Sequence, residues 1–218
     1  MIMLRYVYAK DLHNFPKLAR TMFQDRADQF RTRLGWDVDI DAQGQEKDQY
    51  DRLNPLYVIW EEQDGGHGGS MRFLPTTGRT MTNEHFLHLT DGVRVESPFI
   101  WECTRFCLSP SADRRASAAL ALGAGEIMDT FKLEHFVGVF DPRMERTYRL
   151  LGLVPDVVGM GGEGRDRIGV GLWAMDESAF EPTLKKVGVS REVSQGWLRY
   201  SLDTVNRAPA PQLLPRTA

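Results

Sequence analysis

The sequence predicts a three-layer α/β (α+β) fold, a mixed β-sheet with helices on both faces. Three observations carry that reading. Short runs with strand-like alternation interleave with longer helix-like stretches. A chain of 218 residues that is 42% hydrophobic can bury one sizeable core. Two Gly-rich tips lie between strand-like runs and read as hairpins.

The elements follow in order. Residues 2 to 8 alternate and are rich in branched and aromatic types, as a strand requires. Asp11 then offers an N-cap for a helix running through the low thirties. From Trp36 to Asp51 six acids, Asp37, Asp39, Asp41, Glu46, Asp48 and Asp51, face one base, Lys47, with few apolar anchors. A long, poorly packed connection is expected there. Strands at 56–61 and 69–74 flank Gly65, Gly66, His67, Gly68 and Gly69. A short helix near 82–89, a strand near 99–108 and an Ala-rich helix over 112–132 come next. Phe136 to Phe140 reads as a buried strand, and Pro142 suits the first turn of a helix ending near Gly152. Strands near 153–158 and 167–175 and helices near 178–186 and 190–206 complete one domain over 1–206. The Pro-containing stretch 207–218 reads as a loose tail.

Composition excludes several classes. A net charge of -3 and a pI near 6.0 give no global field for nucleic acid. No run of 18 apolar residues suggests a membrane span. Arg5 and Lys10 interrupt the apolar start, so no leader peptide is read there. Cys103 and Cys107, four apart on one strand, would share a face too far apart to bridge, and reduced thiols point to the cytoplasm. Gly159, Gly161 and Gly164 fit the G-x-G-x-x-G expression, but the strand-like stretch after them makes a hairpin the better reading than a dinucleotide fingerprint. Glu84, His85 and His88 lack a further separated ligand set, and no metal is read there.

Four spaced motifs are more specific. Arg26, Phe30 and Trp36 form R-x3-F-x5-W; Glu46, Asp48 and Asp51 sit in E-K-D-Q-Y-D; Arg72 and Pro75 sit in M-R-F-L-P-T; Trp101, Glu102, Arg105 and Phe106 sit in W-E-C-T-R-F, with Phe86 between. In this set the chain resembles the LuxI-type acyl-homoserine lactone synthases, closely through the first half and more loosely beyond about residue 112. Thr104 stands where the family often has Ser. The resemblance implies a fold like that of the Gcn5-related N-acetyltransferases, with a V-shaped opening between two central strands. It implies N-acylation of S-adenosylmethionine, then lactone closure with loss of methylthioadenosine, for quorum sensing. S-adenosylmethionine is a substrate, and no cofactor is implied.

The chemistry assigns expected roles. The ammonium of S-adenosylmethionine needs a base before it can attack, and Glu102 is the expected one, with Asp48 next. A regular strand would put Glu102 and Arg105 on opposite faces, so a β-bulge is predicted in or near 102–106, which would also free N–H groups for the oxyanion. Asp48, Asp51, Arg105 or Arg72, Trp36 and Phe30 would surround S-adenosylmethionine, with Arg26 in the same pocket. A structural ion-pair network is the competing reading of the charged set, chiefly for Arg72 and Asp48. Phe86 reads as core or pocket wall. The absence of a Gly-rich loop over Ser109 to Arg115 favours an acyl carrier protein donor over coenzyme A. Arg143, Arg146 and Arg149, with Arg114 and Arg115, are its expected docking bases, against a merely solvated helix face. An acyl- or aryl-coenzyme A donor, and a non-catalytic sensor of S-adenosylmethionine or carrier protein, are the alternatives. Where family members preferring 3-oxo chains often have Thr, this chain has Gly138, which predicts mainly 3-unsubstituted or 3-hydroxy products. Close approach of two backbones is the other reading of that glycine.

Overall fold

A computed structural model describes residues 2–175 and 177–206. Seven strands form one sheet in the order β1-β2-β3-β4-β5-β7-β6. They are β1 (Met3–Tyr8), β2 (Leu56–Glu61), β3 (His67–Pro75), β4 (Ile100–Leu108), β5 (His135–Phe140), β6 (Asp156–Gly161) and β7 (Ile168–Trp173). Helices α1 (Pro16–Ala27), α2 (Met81–His85), α3 (Ala116–Phe131), α4 (Glu145–Leu151), α5 (Glu177–Val187) and α6 (Arg191–Asn206) cover it. The stretch 207–218, expected as a tail, lies outside the described residues. No helix among the described residues is long and apolar enough to cross a membrane.

Alternation along the strands divides the core between two faces. Leu4, Tyr6, Val58, Trp60, Met71 and Phe73 pack with α3, α5 and α6, whereas Val7, Tyr57 and Ile59 pack with Leu18, Met22 and Phe23 of α1. These are the expected three layers. The main helix seats itself closely: a Cβ at Gly123 would stand 2.6 Å from Val58 Cγ1, so only glycine admits α3 to this distance.

The central opening lies between β4 and β5. These strands run parallel and pair only over Ile100–Glu102 against His135–Val137. Beyond Glu102 they part, and β5 continues its pairing with β7 alone. This is the V-shaped opening implied by the family resemblance.

Some expectations are corrected. The first helix does not begin at Asp11, which lies in a 3-10 turn over Ala9–Asn14; it begins at Pro16, whose fixed φ and missing N–H suit a first helical position. After Ala27 the helix widens into a π-type turn over Asp28–Arg33 that carries Phe30. His67 to Gly69 belong to β3 and not to the hairpin tip. Gly159 and Gly161 lie in the antiparallel β6–β7 hairpin.

Candidate active site

The acidic stretch is packed where a loose connection was expected. Glu46 is fully buried, and its backbone N–H donates to Phe23 O of α1 at 3.0 Å. Asp48 and Asp51 cap a 3-10 turn over Gln49–Leu53 reciprocally: Asp48 accepts from Tyr50 N at 2.8 Å, and Asp51 Oδ2 accepts from Asp48 N at 2.8 Å. The reciprocal cap aims both carboxylates at the sheet.

Three guanidinium groups meet these three carboxylates. Arg26 donates to Glu46 Oε2 at 2.6 Å and to both oxygens of Asp51 at 3.0 Å. Arg72 donates to Asp48 at 2.5 and 2.9 Å, to Asp51 at 2.9 Å and through Nε to Thr104 Oγ1 at 3.0 Å. Arg105 reaches Glu46 Oε1 and Asp48 Oδ2 at 2.9 and 2.8 Å. With equal numbers of opposite charges the cluster is neutral, which permits its burial. Burial alone would raise Asp51, but Arg26 and Arg72 hold its carboxyl well below the usual carboxylate range, and Tyr57 OH donates to it at 2.5 Å. Arg26 and Arg72 are each 1% exposed. Arg72 is thus absorbed into the network, and Arg105, at 10% side-chain exposure, is the member bordering the cavity described below.

Arg105 can do this because β4 bulges. Ser70 pairs Cys107 and Arg72 pairs Thr104, so two residues of β3 span three of β4. Arg105 has φ 55°, a left-handed value that costs a non-glycine residue of order 1 kcal/mol. The predicted bulge is therefore present. It sets Glu102, Thr104 and Arg105 on the α1 face together, while Trp101 and Cys103 pack with the α3-side core. It also overturns the shared face expected of the cysteines, because Cys107 turns to the α1 side, near Asp25 and Arg26. Burial pushes both free thiols up to about 12.

Glu102 is 1% exposed and ends the β4–β5 pairing. Its Oε1 accepts from Thr82 N at 2.6 Å and Oε2 from Met81 N at 3.1 Å, at the start of α2. Burial raises its pKa against the opposing backbone N–H groups. Unlike the three carboxylates of the network, it forms no ion pair among the described residues.

Below the opening lies an apolar cavity of about 480 Å³. Phe30, Trp36, Met81 and Arg105 border it, Cys103, Phe106 and Met128 continue it, and Phe136, Phe140, Tyr148 and Trp173 line the α4 side. Trp36 is 40% exposed and stacks on Phe30, with centroids 5.2 Å apart and planes 8° from parallel. Arg105 lies over the other partner of that stack, 5.3 Å from the Phe30 centroid.

Other expected residues fall differently. Phe86 packs with Leu89, Val137 and Val170 in a small core on the α2 side, outside this cavity. Gly138 borders the cavity, yet a Cβ there would stand 2.8 Å from Cys103 O, so close approach of β5 to β4 is what the glycine provides. Arg143, Arg146 and Arg149 are exposed around α4, Arg143 at the cavity edge and paired with Asp141. Arg114 is exposed, whereas Arg115 pairs with Asp113 at 2.9 Å and lies 5.9 Å from the Trp60 ring. Glu84 accepts from Arg79 and from Tyr50 OH at 2.6 and 2.8 Å. Sequence reasoning left out Glu46, the residue that links Arg26 to Arg105, although it stands inside the quoted acidic motif. It also left out Tyr57 and Tyr148, for which the sequence carries no signal.

The profile of the autoinducer synthase family matches residues 11–181. An acyl-homoserine-lactone synthase of Rhizobium etli is 37% identical over 200 residues, covering 88% of this chain and 93% of its own length. Among solved structures, the coenzyme A-dependent acyl-homoserine lactone synthase BjaI, with SAM and isopentyl-CoA, superposes at TM-score 0.77 and 19% identity, over 87% of this chain and 90% of its own. The acyl-homoserine lactone synthase LasI superposes at TM-score 0.70 and 24% identity, over 81% and 91%. By the span of the family match and the identity to its Rhizobium relative, the chain belongs to the autoinducer synthase family, the acyltransferases that make acyl-homoserine lactones.

Proposed function

We propose that the chain N-acylates S-adenosylmethionine from an acyl carrier protein thioester and closes the homoserine lactone with release of methylthioadenosine. The carrying observation is that Glu102 and Arg105 project from one face of β4 where it parts from β5.

In the first step Glu102 takes a proton from the substrate ammonium, directly or through water. The amine nitrogen then bonds to the acyl carbonyl carbon, the C–S bond breaks, and the pantetheine thiol leaves. A carboxylate without an ion-pair partner and with a raised pKa is a better base than Asp51, which its arginines hold ionised. Beyond Glu102, β4 has no pairing partner on its β5 side, so alternate backbone N–H groups turn toward the opening, where an oxyanion would form. In the second step the substrate carboxylate attacks the carbon next to the sulfonium, and methylthioadenosine departs. Holding the chain folded supplies the rate of this intramolecular closure. The Phe30–Trp36 stack suits the adenine and sulfonium, and Asp48 and Arg105 suit the amino-acid end. The cavity suits the acyl chain. The SAM ligand of BjaI supports that acceptor.

For the donor, exposed Arg143, Arg146 and Arg149 beside the cavity favour an acidic carrier protein. A coenzyme A donor is the second reading, favoured by the likeness to BjaI, and a non-catalytic sensor would require this site to be inert. Matched acyl thioesters of carrier protein and coenzyme A, assayed on wild type and on a charge reversal of two of the three arginines, separate the donors. The carrier reading expects a salt-sensitive rise in KM for carrier protein alone. Equal rises for carrier protein and S-adenosylmethionine would remove that docking site.

A further inference from the structure

We propose that Tyr50 is a positioning residue for the acyl-transfer step: its hydroxyl, bonded to Glu84, holds α2 so that the first two N–H groups of α2 stay on the Glu102 carboxylate. This rests on the reading of Glu102 as the base and adds a residue that acts through it.

Tyr50 is buried in the 3-10 turn that Asp48 and Asp51 cap, and its backbone N–H donates to Asp48 Oδ1 at 2.8 Å. Arg72 and Arg79 lie 5.5 and 5.9 Å from its ring centroid, which fixes the ring against the ion-pair network. The hydroxyl reaches out of the turn and donates to Glu84 Oε2 of α2 at 2.8 Å. Arg79 and Tyr50 hold the Glu84 carboxyl down to about 2, while burial and Glu84 push the phenol up. An ionised acceptor therefore meets a protonated donor at any working pH. Such a charge-assisted bond is about twice as strong as a neutral one.

Glu84 sits on the same short helix as Met81 and Thr82, whose N–H groups hold Glu102 at 3.1 and 2.6 Å. With only 5 residues in α2, a restraint at Glu84 is carried by the backbone to both donors. Asn83 anchors the helix independently, donating to Val95 O at 2.8 Å and accepting from Val95 N at 2.9 Å. Loss of the Tyr50 bond therefore leaves α2 formed and attached but free to swing from Glu102. The two N–H groups favour the ionised carboxylate against its burial, with Arg72 of β3 as a further aid. Leu74 and Val137, the strand partners of Glu102 on β3 and β5, carry no charge. Cys103, next on β4, is a protonated thiol. His85 of α2 lies edge-on to Tyr50 at 6.3 Å and is the rival titrating group. The competing role for Tyr50 is that of a core side chain alone.

The test follows the Glu102 carboxyl by carbon-13 NMR of glutamate-labelled protein across pH, its signal assigned by its loss in Glu102→Gln, beside kcat in the lactone assay. Tyr50→Phe keeps the ring beside Arg72 and the backbone cap. It should move the Glu102 titration upward by about 0.5 to 1 pH unit and lower kcat at neutral pH by about threefold to tenfold, the worth of one hydrogen bond. The Kd for S-adenosylmethionine should not change. Glu84→Ala should reproduce both effects without adding to them in the double variant, and Glu84→Gln, whose amide oxygen still accepts, should restore most of the wild-type behaviour. Should Tyr50→Phe fail to fold, Glu84→Ala, at a side chain 26% exposed, carries the same test. His85→Gln should leave the Glu102 titration in place. An unmoved Glu102 titration, additive losses in the double variant, an effect confined to Kd, or an equal shift in His85→Gln would overturn the inference while leaving the base reading standing. Near-normal turnover in Glu102→Gln would overturn both.

Discussion

Glu46 bridges Arg26 of α1 and Arg105 of β4, accepting from the first at 2.6 Å and from the second at 2.9 Å while itself fully buried. It joins the acidic stretch, the first helix and β4 in one contact. Glu46→Gln leaves two arginines short of a charge in a buried site. It should destabilise the protein by about 3 to 5 kcal/mol, read by urea unfolding. A loss below about 1 kcal/mol would show the network to be solvated in solution.

Trp36 should behave in the opposite way. Being 40% exposed and, among the described residues, stacked on Phe30 alone, it contributes modestly to the core. Trp36→Ala should shift stability by no more than about 1 kcal/mol and raise the Kd for S-adenosylmethionine several-fold, measured by calorimetry. Unchanged affinity would remove the stack from the acceptor pocket.

Gly138→Thr tests packing and not only product choice. Its Cβ would meet the Cys103 carbonyl oxygen at 2.8 Å, so β4 or β5 must shift. A loss of about 1 to 3 kcal/mol is expected, read by thermal unfolding. A stable variant whose products move toward 3-oxo lactones would restore the reading made from sequence.

The raised pKa of Glu102 has a signed consequence for stability. Because its folded pKa lies above the ordinary 4.5, the native state holds this proton more tightly than the unfolded chain does. Its contribution is fully present below pH 4.5 and is lost as pH rises through the folded pKa. Wild type should therefore lose stability relative to Glu102→Gln across that window, in paired urea titrations at several pH values. A difference independent of pH would mean that the carboxyl is not perturbed.

Much of this site was legible in sequence because the chemistry demands particular residue types. The requirement that Glu102 and Arg105 serve one cleft implied a bulge, and Arg105 carries it at φ 55°. Chain periodicity located all seven strands. What stayed hidden depends on neighbours distant in sequence. Nothing in the acidic stretch separates Glu46, fully buried, from exposed Asp39. Whether Arg72 faces a ligand or two aspartates is decided by the reciprocal cap of Asp48 and Asp51, a local geometry that composition does not reveal. The constraint on Gly138 comes from a carbonyl across the opening. Pro16, by contrast, was a visible start signal that outweighs Asp11.

The most direct measurement is lactone and methylthioadenosine release by purified wild type and Glu102→Gln, followed by mass spectrometry with S-adenosylmethionine and an acyl thioester. Wild type should release the two products in equal amounts. The variant should retain its affinity for S-adenosylmethionine and its unfolding cooperativity while turnover falls on the order of a hundredfold or more, the scale of a lost general base. Near-normal turnover in Glu102→Gln would contradict the account and move the base to another group, Asp48 first.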